Sequence, residues 1–507
     1  MLRSKEGTAL NKTNTTLTGP RSVPAWLVIS LIVVGCGAPE VAPGPTGPAG
    51  PADETAVAAT SPQASAPVGL ALAGDPQRGG QLYDTWWAVT EAEAPTTDHP
   101  LWATQSTNTR GGADTWRCKE CHGWDYKGAD GAYGSGSHLT GFTGVLASAA
   151  KPAEEILAAM NGGTNADHDF SAVMGEQELA DLSQFVTQSL IDDKALIDDK
   201  KASTGNPADG RTRYEETCAS CHGPGGNAIN FGSIGEPEFL GHVAPDNPWE
   251  FVHKVRFGQP GWPMPSAIAN DWAESDVADV LAYAQTLDTE PAVSGGAQLY
   301  DTWWAVTGAA APTTEQPLWA TQTTNTRGGE ETWRCKECHG WDYKGADGAY
   351  GSGSHLTGFT GVLGAASLTP DAILAWLDGR TNAKHDFSTV MVPAELNALA
   401  TFVQKETADV TSLVGADGKS VGDPVVGREI FDGTCAACHG KDGKKRNFGD
   451  DKEPEYVGTI AVDNPPEFLH KAQFGQPGEP MPAGKALGWT SQDLADLLAY
   501  AQTLPTE

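Results

Sequence analysis

Cys118-Lys119-Glu120-Cys121-His122 is the first of four C-x-x-C-H motifs in this chain of 507 residues. The others are Cys218-Ala-Ser-Cys221-His222, Cys335-Lys-Glu-Cys338-His339 and Cys435-Ala-Ala-Cys438-His439. Two thiols about one helical turn apart can add across the two vinyl groups of a porphyrin. The histidine that follows can then bind the iron as its proximal ligand. The spacing therefore predicts four covalently bound c-type haems, each with its iron.

A C-x-x-C pair can also bind zinc, form a redox-active disulfide or close a structural bridge. The four motifs use eight of the nine cysteines, so none remains to complete a zinc site at a matching spacing. A redox dithiol does not require a histidine in the next position at all four places. These arguments favour haem over the other chemistries.

The chain is largely one unit written twice. Cys118 and Cys335 are 217 residues apart, as are Cys218 and Cys435, and residues 115–146 are identical to residues 332–363. Each unit holds two motifs, so each motif would have a domain of ordinary size. We predict four domains in the order A (76–192), B (205–290), A′ (294–408) and B′ (421–507).

Helical patterns enclose each motif. In domain B, a helix leads directly into Cys218, and an apolar helical periodicity over residues 277–287 closes the domain. In A and A′ an insertion of about 30 residues separates the opening helix from the motif. No alternating strand pattern persists. The prediction is an all-α fold of four tandem haem domains, with long loops, little strand and haem supplying much of the core.

These features resemble class I cytochrome c, most closely in B and B′, which also carry a Met-Pro loop and an aromatic residue in the last helix (Tyr283, Tyr500). The resemblance implies that a methionine shortly before the last helix is the distal iron ligand. Met264 and Met481 lie 46 residues after the first cysteine of their motifs, and Met174 and Met391 lie 56 residues after theirs. The predicted iron ligands are these four methionines with His122, His222, His339 and His439.

Other repeated side chains compete or contribute. His138/His355 and His168/His385 occur in both copies, and His168 as the distal ligand would give a bis-histidine haem of lower potential. We prefer a loop histidine bonded to a haem propionate or to backbone. His253 and His470 are expected to pack beside the haem. His99 and His242 have no counterpart in the other copy and receive no role.

The remaining methionine and the tryptophans are interpreted structurally. Met160 is replaced by Leu377 in the second copy, so it is predicted to be a core residue. Five tryptophans recur in the second copy, and we expect them to wall the haem in A and A′ and to fill the insertion. They are Trp86, Trp87, Trp102, Trp116 and Trp124.

The first 75 residues resemble an export and anchoring segment. A short apolar run ends in Gly35-Cys36, which is similar to a bacterial lipobox. We predict a lipoprotein signal peptide over residues 1–35, lipidation of Cys36 and a Pro/Ala/Gly-rich tether over residues 36–75. The alternative is an ordinary signal peptide with an incidental cysteine. The expected location is the bacterial cell envelope, on a membrane facing the periplasm or exterior, and Gly37 favours the outer membrane.

The net charge of −32 limits the partners. It argues against nucleic acid, and against docking on an anionic bilayer beyond the lipid anchor. It suits redox partners with basic docking surfaces, although solubility or a salty habitat would explain it equally well.

The leading functional hypothesis is an electron-transfer protein with no catalytic residue of its own. One alternative is a multihaem oxidoreductase resembling dihaem thiosulfate dehydrogenases or peroxidases, with a catalytic haem in A and A′. Against it, every domain offers a methionine and no cysteine remains as a distal ligand. A third possibility is a subunit docked to a respiratory or photosynthetic complex.

Overall fold

A computed structural model describes residues 73–450 and 452–507. The predicted all-α class is confirmed: the described residues form helices, and their only extended pairings are isolated bridges such as Gly128 with Thr143. The predicted signal peptide, Cys36 and nearly all of the tether lie outside the described residues. No helix among the described residues combines the length and apolar character needed to cross a bilayer.

Domains A and A′ have the same succession of helices. In A these are α1 (Pro76–Thr90), α2 (Cys118–His122), α3 (Ala153–Met160) and α4 (Glu176–Gln188). Domain B follows with α5 (Pro207–Thr217), α6 (Ala219–His222), α7 (Leu240–Asp246), α8 (Pro248–Phe257) and α9 (Glu274–Ala284). Short 3₁₀ turns occupy the long loops, including Pro100–Thr104 and Gly112–Trp116 in the insertion of A.

The second copy repeats this order. A′ contains α10 (Gly296–Thr307), α11 (Cys335–His339), α12 (Pro370–Leu377) and α13 (Pro393–Thr401), which continues as a π-helical turn over Phe402–Glu406. B′ contains α14 (Pro424–Ile430), a π-helical turn over Phe431–Cys435, then α15 (Ala436–His439), α16 (Val457–Asp463), α17 (Pro465–Phe474) and α18 (Ser491–Ala501).

The first and last long helices cross closely in each of the four predicted domains. A glycine of the first helix lies against a backbone carbonyl of the last, so a β-carbon there would come within 1.8–2.2 Å of that oxygen. The pairs are Gly79 with Asp181, Gly210 with Asp279, Gly296 with Ala398 and Gly427 with Asp496. One turn further along, aromatic rings pack against each other across the crossing, tilted and with centroids 5.3–5.4 Å apart, for example Tyr214 and Tyr283.

Helix α8 of domain B docks against domain A. Phe257 is buried in the apolar core of A, and the Gln81 side-chain amide donates to its carbonyl at 2.9 Å. The carboxylate of Asp84, fully buried, pairs with Lys254 of B at 2.7 Å and with Arg117 of A. In the second copy, Asp301 pairs with Lys471 and Arg334 in the same way. Each A domain is thus joined to its B domain by a buried, repeated interface.

The insertion of A is held in place by side-chain hydrogen bonds. The Trp102 indole donates to the Arg110 carbonyl and the Trp116 indole to the Thr97 carbonyl, both at 2.8 Å. Equivalent bonds recur in A′ from Trp319 and Trp333. These tryptophans therefore stabilise the fold of the inserted segment.

Gly427→Ala should destabilise B′ by about 1–3 kcal/mol, because its methyl group would collide with the Asp496 carbonyl in the helix crossing. Denaturant unfolding followed by circular dichroism measures the loss. The control is Gly433→Ala, whose methyl group meets nothing within 4 Å. Equal effects of the two variants would contradict the close crossing.

Asp84→Asn should lower the free energy of unfolding by about 3–5 kcal/mol at pH 7, since it leaves two cations at a buried site without their anion. Burial alone would raise the pKa of Asp84, but Lys254 and Arg117 bring it far below its usual range. A lowered folded-state pKa stabilises the protein above the unfolded value of about 3.9, and this stabilisation is lost as the pH falls.

The difference between wild type and Asp84→Asn should therefore shrink below about pH 4, which unfolding measured across pH 3–7 would detect. The matched control is Asp114→Asn, since Asp114 is half exposed and lies 3.7 Å from the same Arg117. We expect this control to change stability by less than about 1 kcal/mol. A constant difference across the pH range would contradict the buried ion pair.

Candidate haem-binding sites

The four C-x-x-C-H motifs fold in the same way. Each forms one short helical turn that ends at a glycine with φ between 76° and 79°, a conformation that favours glycine over other residues. The chain then turns back, and the amide six residues after the motif histidine donates to the carbonyl of that histidine at 2.8–3.0 Å. None of the eight motif cysteines forms a disulfide. Two thiols and an imidazole are thus presented together at every motif.

A tyrosine from the first helix anchors three of these turns. Tyr83, Tyr214 and Tyr300 donate their hydroxyl hydrogens to the carbonyls of Gly123, Gly223 and Gly340 at 2.6–2.7 Å. In B′ the equivalent residue is Phe431, which packs in the same place but has no hydroxyl. The helix crossing therefore holds the motif as well as the core.

The motif histidines of A and A′ are oriented for metal binding. The Nδ1 atoms of His122 and His339 lie 2.6 Å from the carbonyl oxygens of Thr143 and Thr360. A carbonyl oxygen can only accept, so Nδ1 carries the hydrogen and Nε2 keeps its lone pair. Burial lowers the pKa of both rings to about 4, which makes them neutral, metal-binding imidazoles at pH 7.

A pocket in A′ opens directly beside the motif. Its lining includes both motif cysteines, His339, His385, Phe359 and Phe387. The insertion closes a further side through Gln316, Leu318 and Thr332. Free thiols, a neutral imidazole and aromatic walls in one pocket fit a covalently attached haem.

The predicted distal methionines fall into two environments. Met174 and Met391 are each 4% exposed and pack within the apolar cores of A and A′, and Met391 does not line the A′ pocket. Met264 and Met481 are half-buried in the loops that follow α8 and α17. Met160 is buried in the core of A, the environment that we predicted for it.

Two further histidine pairs have hydrogen-bond or stacking partners of their own. The Nδ1 atom of His253 lies 2.8 Å from the Tyr126 hydroxyl and its Nε2 atom lies 2.9 Å from the Gly80 carbonyl. His470 repeats this arrangement, so both residues belong to the A–B interface. His138 stacks on Tyr133 and lies beside Arg110, as His355 does on Tyr350.

Sequence reasoning missed the role of the two residues inside the A motif. Lys119 and Glu120 are buried and paired with each other, and Arg110 lies 3.6 Å from the same carboxylate. The ammonium groups of Lys119 and Lys254 lie 5.2 and 5.4 Å from the Trp124 ring. The sequence did contain a signal for this role. Both A and A′ have Lys-Glu between the two motif cysteines, whereas B and B′ have small residues there.

The C-x-x-C-H motifs of B and B′ lie near each other across a contact between the two domains. Helix α6 contacts the turn Phe431–Cys435, and the Ala483 amide lies 3.4 Å from the Ala228 carbonyl in the loop after the B motif. A second contact joins the loop after the B′ motif to domain B: Arg446 lies 4.9 Å from the ring of Trp262, two residues before Met264. The loop after each motif thus touches the methionine loop of the other domain.

Two segments of the chain match known protein families. Residues 205–283 match the family described as cytochrome C oxidase, cbb3-type, subunit III, and residues 425–505 match the family described as cytochrome c. Both matches fall on predicted haem domains, B and B′. The chain is a multihaem c-type cytochrome with tandem cytochrome c domains.

Structural similarity adds no further argument. The thiosulfate dehydrogenase (TsdBA) from Marichromatium purpuratum, in its "as isolated" form, shares 16% sequence identity over 80% of this chain and 89% of its own, with a TM-score of 0.18. A TM-score this low supports no conclusion about fold or activity. A comparison with curated proteins gives no match.

Tyr214→Phe should destabilise domain B by about 1–3 kcal/mol, because the buried Gly223 carbonyl loses its hydrogen-bond donor. The control is Tyr283→Phe, on the ring that stacks against Tyr214 at 5.3 Å. No side-chain hydrogen bond from Tyr283 occurs within the described residues, so we expect this control to be nearly neutral. Thermal unfolding of both variants measures the difference, and equal losses would contradict the anchoring role.

Proposed function

We propose that this protein is an electron carrier with four covalent haems c, one at each C-x-x-C-H motif. The thiols of each motif form the thioether bonds, and His122, His222, His339 and His439 are the proximal iron ligands. In B and B′, Met264 and Met481 are the distal ligands. The haem supplies the redox chemistry, while this chain supplies ligation, burial and spacing.

The observation that carries the proposal is the same local structure at all four motifs. The glycine of positive φ, the returning loop bonded to the histidine carbonyl and the pair of cysteines outside any disulfide recur in every case. Two of the four motifs also lie within segments that match cytochrome families. The motifs of A and A′ have the same turn, and in A′ a pocket lies beside the motif.

The contact between B and B′ supports a relay. A haem attached at Cys218 and Cys221 would lie beside one attached at Cys435 and Cys438, because the two motifs share an interface. Each B domain is also joined to its own A domain by the Asp84 or Asp301 network. Electrons could therefore pass between the two halves without leaving the protein.

The sequence supports a location and a class of partner as part of the proposal. A lipidated Cys36 would anchor the chain to a membrane outside the bacterial cytoplasm, and the tether would let the haem domains reach partners at a distance. The charge of −32 favours redox partners with basic surfaces, including soluble carriers or a respiratory or photosynthetic complex.

Haem stoichiometry tests the proposal. We expect four haems per chain by pyridine haemochrome analysis and intact mass, with low-spin optical spectra that carbon monoxide does not change. Removing one motif by Cys435→Ala with Cys438→Ala should reduce the count to three. Fewer than four haems in the wild type would contradict the proposal. So would a haem that binds carbon monoxide, because each iron is proposed to have two protein ligands.

The distal ligand of B is tested by Met264→Ala. Loss of the methionine sulfur as iron ligand should leave one haem high-spin, able to bind carbon monoxide and lower in potential. Met160→Leu is a matched control, because Met160 is a buried core residue whose counterpart in A′ is already Leu377. An unchanged spectrum of Met264→Ala would remove Met264 from the ligand set.

A further inference from the structure

In both A and A′ a second histidine lies close to the motif histidine. In A′, His385 lines the pocket together with Cys335, Cys338 and His339. The rings of His339 and His385 are 6.2 Å apart between centroids, and those of His122 and His168 in A are also 6.2 Å apart. The same pairing thus occurs in both copies.

This separation suits one metal between two imidazoles. A metal–imidazole bond is about 2 Å long and the bonding nitrogen lies about 1 Å from the ring centre, so two rings on opposite sides of an iron are roughly 6 Å apart. The rings are inclined at 79° in A and 72° in A′, so neither pair is stacked.

The second histidine is also oriented by backbone. The Nδ1 atom of His385 lies 2.9 Å from the Trp376 carbonyl, and that of His168 lies 2.7 Å from the Ala159 carbonyl. These bonds place the hydrogen on Nδ1 and leave Nε2 with its lone pair, as in His122 and His339. Hydrogen bonds of this kind fix the tautomer and ring orientation of metal-binding histidines.

The competing side chains are less suitable. Met391 is packed in the A′ core and absent from the pocket lining, although the resemblance to class I cytochromes implied it as the ligand. His99 lies 6.1 Å from His168 in A, but its counterpart Gln316 uses its side-chain amide to bond the Lys384 carbonyl. A ligand common to both copies therefore cannot be His99.

We propose that His168 and His385 are the distal iron ligands of A and A′, so that these two haems are bis-histidine while those of B and B′ are His/Met. The inference rests on the proposed function, since it takes haem to be attached at the A and A′ motifs. Because a methionine ligand raises the potential relative to histidine, the A and A′ haems would be the low-potential pair. The duplicated unit would then contain one haem of each type.

Electron paramagnetic resonance of the oxidised full-length holoprotein tests the assignment without any variant. We expect two bis-histidine and two His/Met low-spin signals per chain, and a potentiometric titration in which two haems are reduced at lower potential. Four His/Met signals would overturn the proposal. Haem content measured on the same sample separates the outcomes, because four haems with four methionine ligands would leave the proposed function intact.

Variants in both copies identify the residues. His385→Ala and, separately, His168→Ala should each convert one haem of the four to a high-spin form that binds carbon monoxide, and each should remove one bis-histidine signal. Met391→Leu and His99→Gln, which copies Gln316 of A′, should leave all signals unchanged. Loss of a low-spin signal in Met391→Leu, or unchanged spectra in both histidine variants, would overturn the assignment.

Discussion

The close crossing of the first and last helices in each domain is the constraint on which the sites depend. A glycine at the crossing brings the two backbones into contact, and the aromatic residue one turn later reaches the turn that ends the C-x-x-C-H motif. The position of the motif is therefore set by the packing of helices far from it in sequence. A larger residue at the crossing would displace the thiols and the imidazole together.

The duplication produces two kinds of domain with different surroundings. In A and A′ the motif is enclosed by the insertion and by the docked B domain, so Lys119 and Glu120 are buried and paired. In B and B′ the two residues between the cysteines are small, and the motifs face each other across a small apolar contact around Ala228 and Ala483. The arrangement separates enclosed motifs in A and A′ from adjoining motifs in B and B′.

The sequence predicts the features that depend on local pattern. The helix predicted before Cys218 is Pro207–Thr217, and the periodicity over residues 277–287 falls on the helix Glu274–Ala284. In each domain the glycine at the helix crossing comes before the first cysteine of the C-x-x-C-H motif along the chain. The all-α class and the four equivalent turns follow from such signals.

Other features depend on contacts that no local pattern encodes. His168 and Met174 are six residues apart and both repeat, so spacing alone cannot decide which of them faces the motif histidine. Which of the two side chains lies near the motif histidine depends on how the loop after α3 folds. In that loop the Phe170 amide donates to the Met160 carbonyl. The placement of His253 between domains, with both nitrogens bonded, likewise requires the docked structure of A and B.

An experimental structure of the holoprotein would test the central claim most directly, since it would locate every haem relative to the others. The account predicts a haem at each of the four motifs, with those of B and B′ adjoining across the Ala228–Ala483 contact. A layer of protein between these two haems, or a motif with no haem attached, would contradict it.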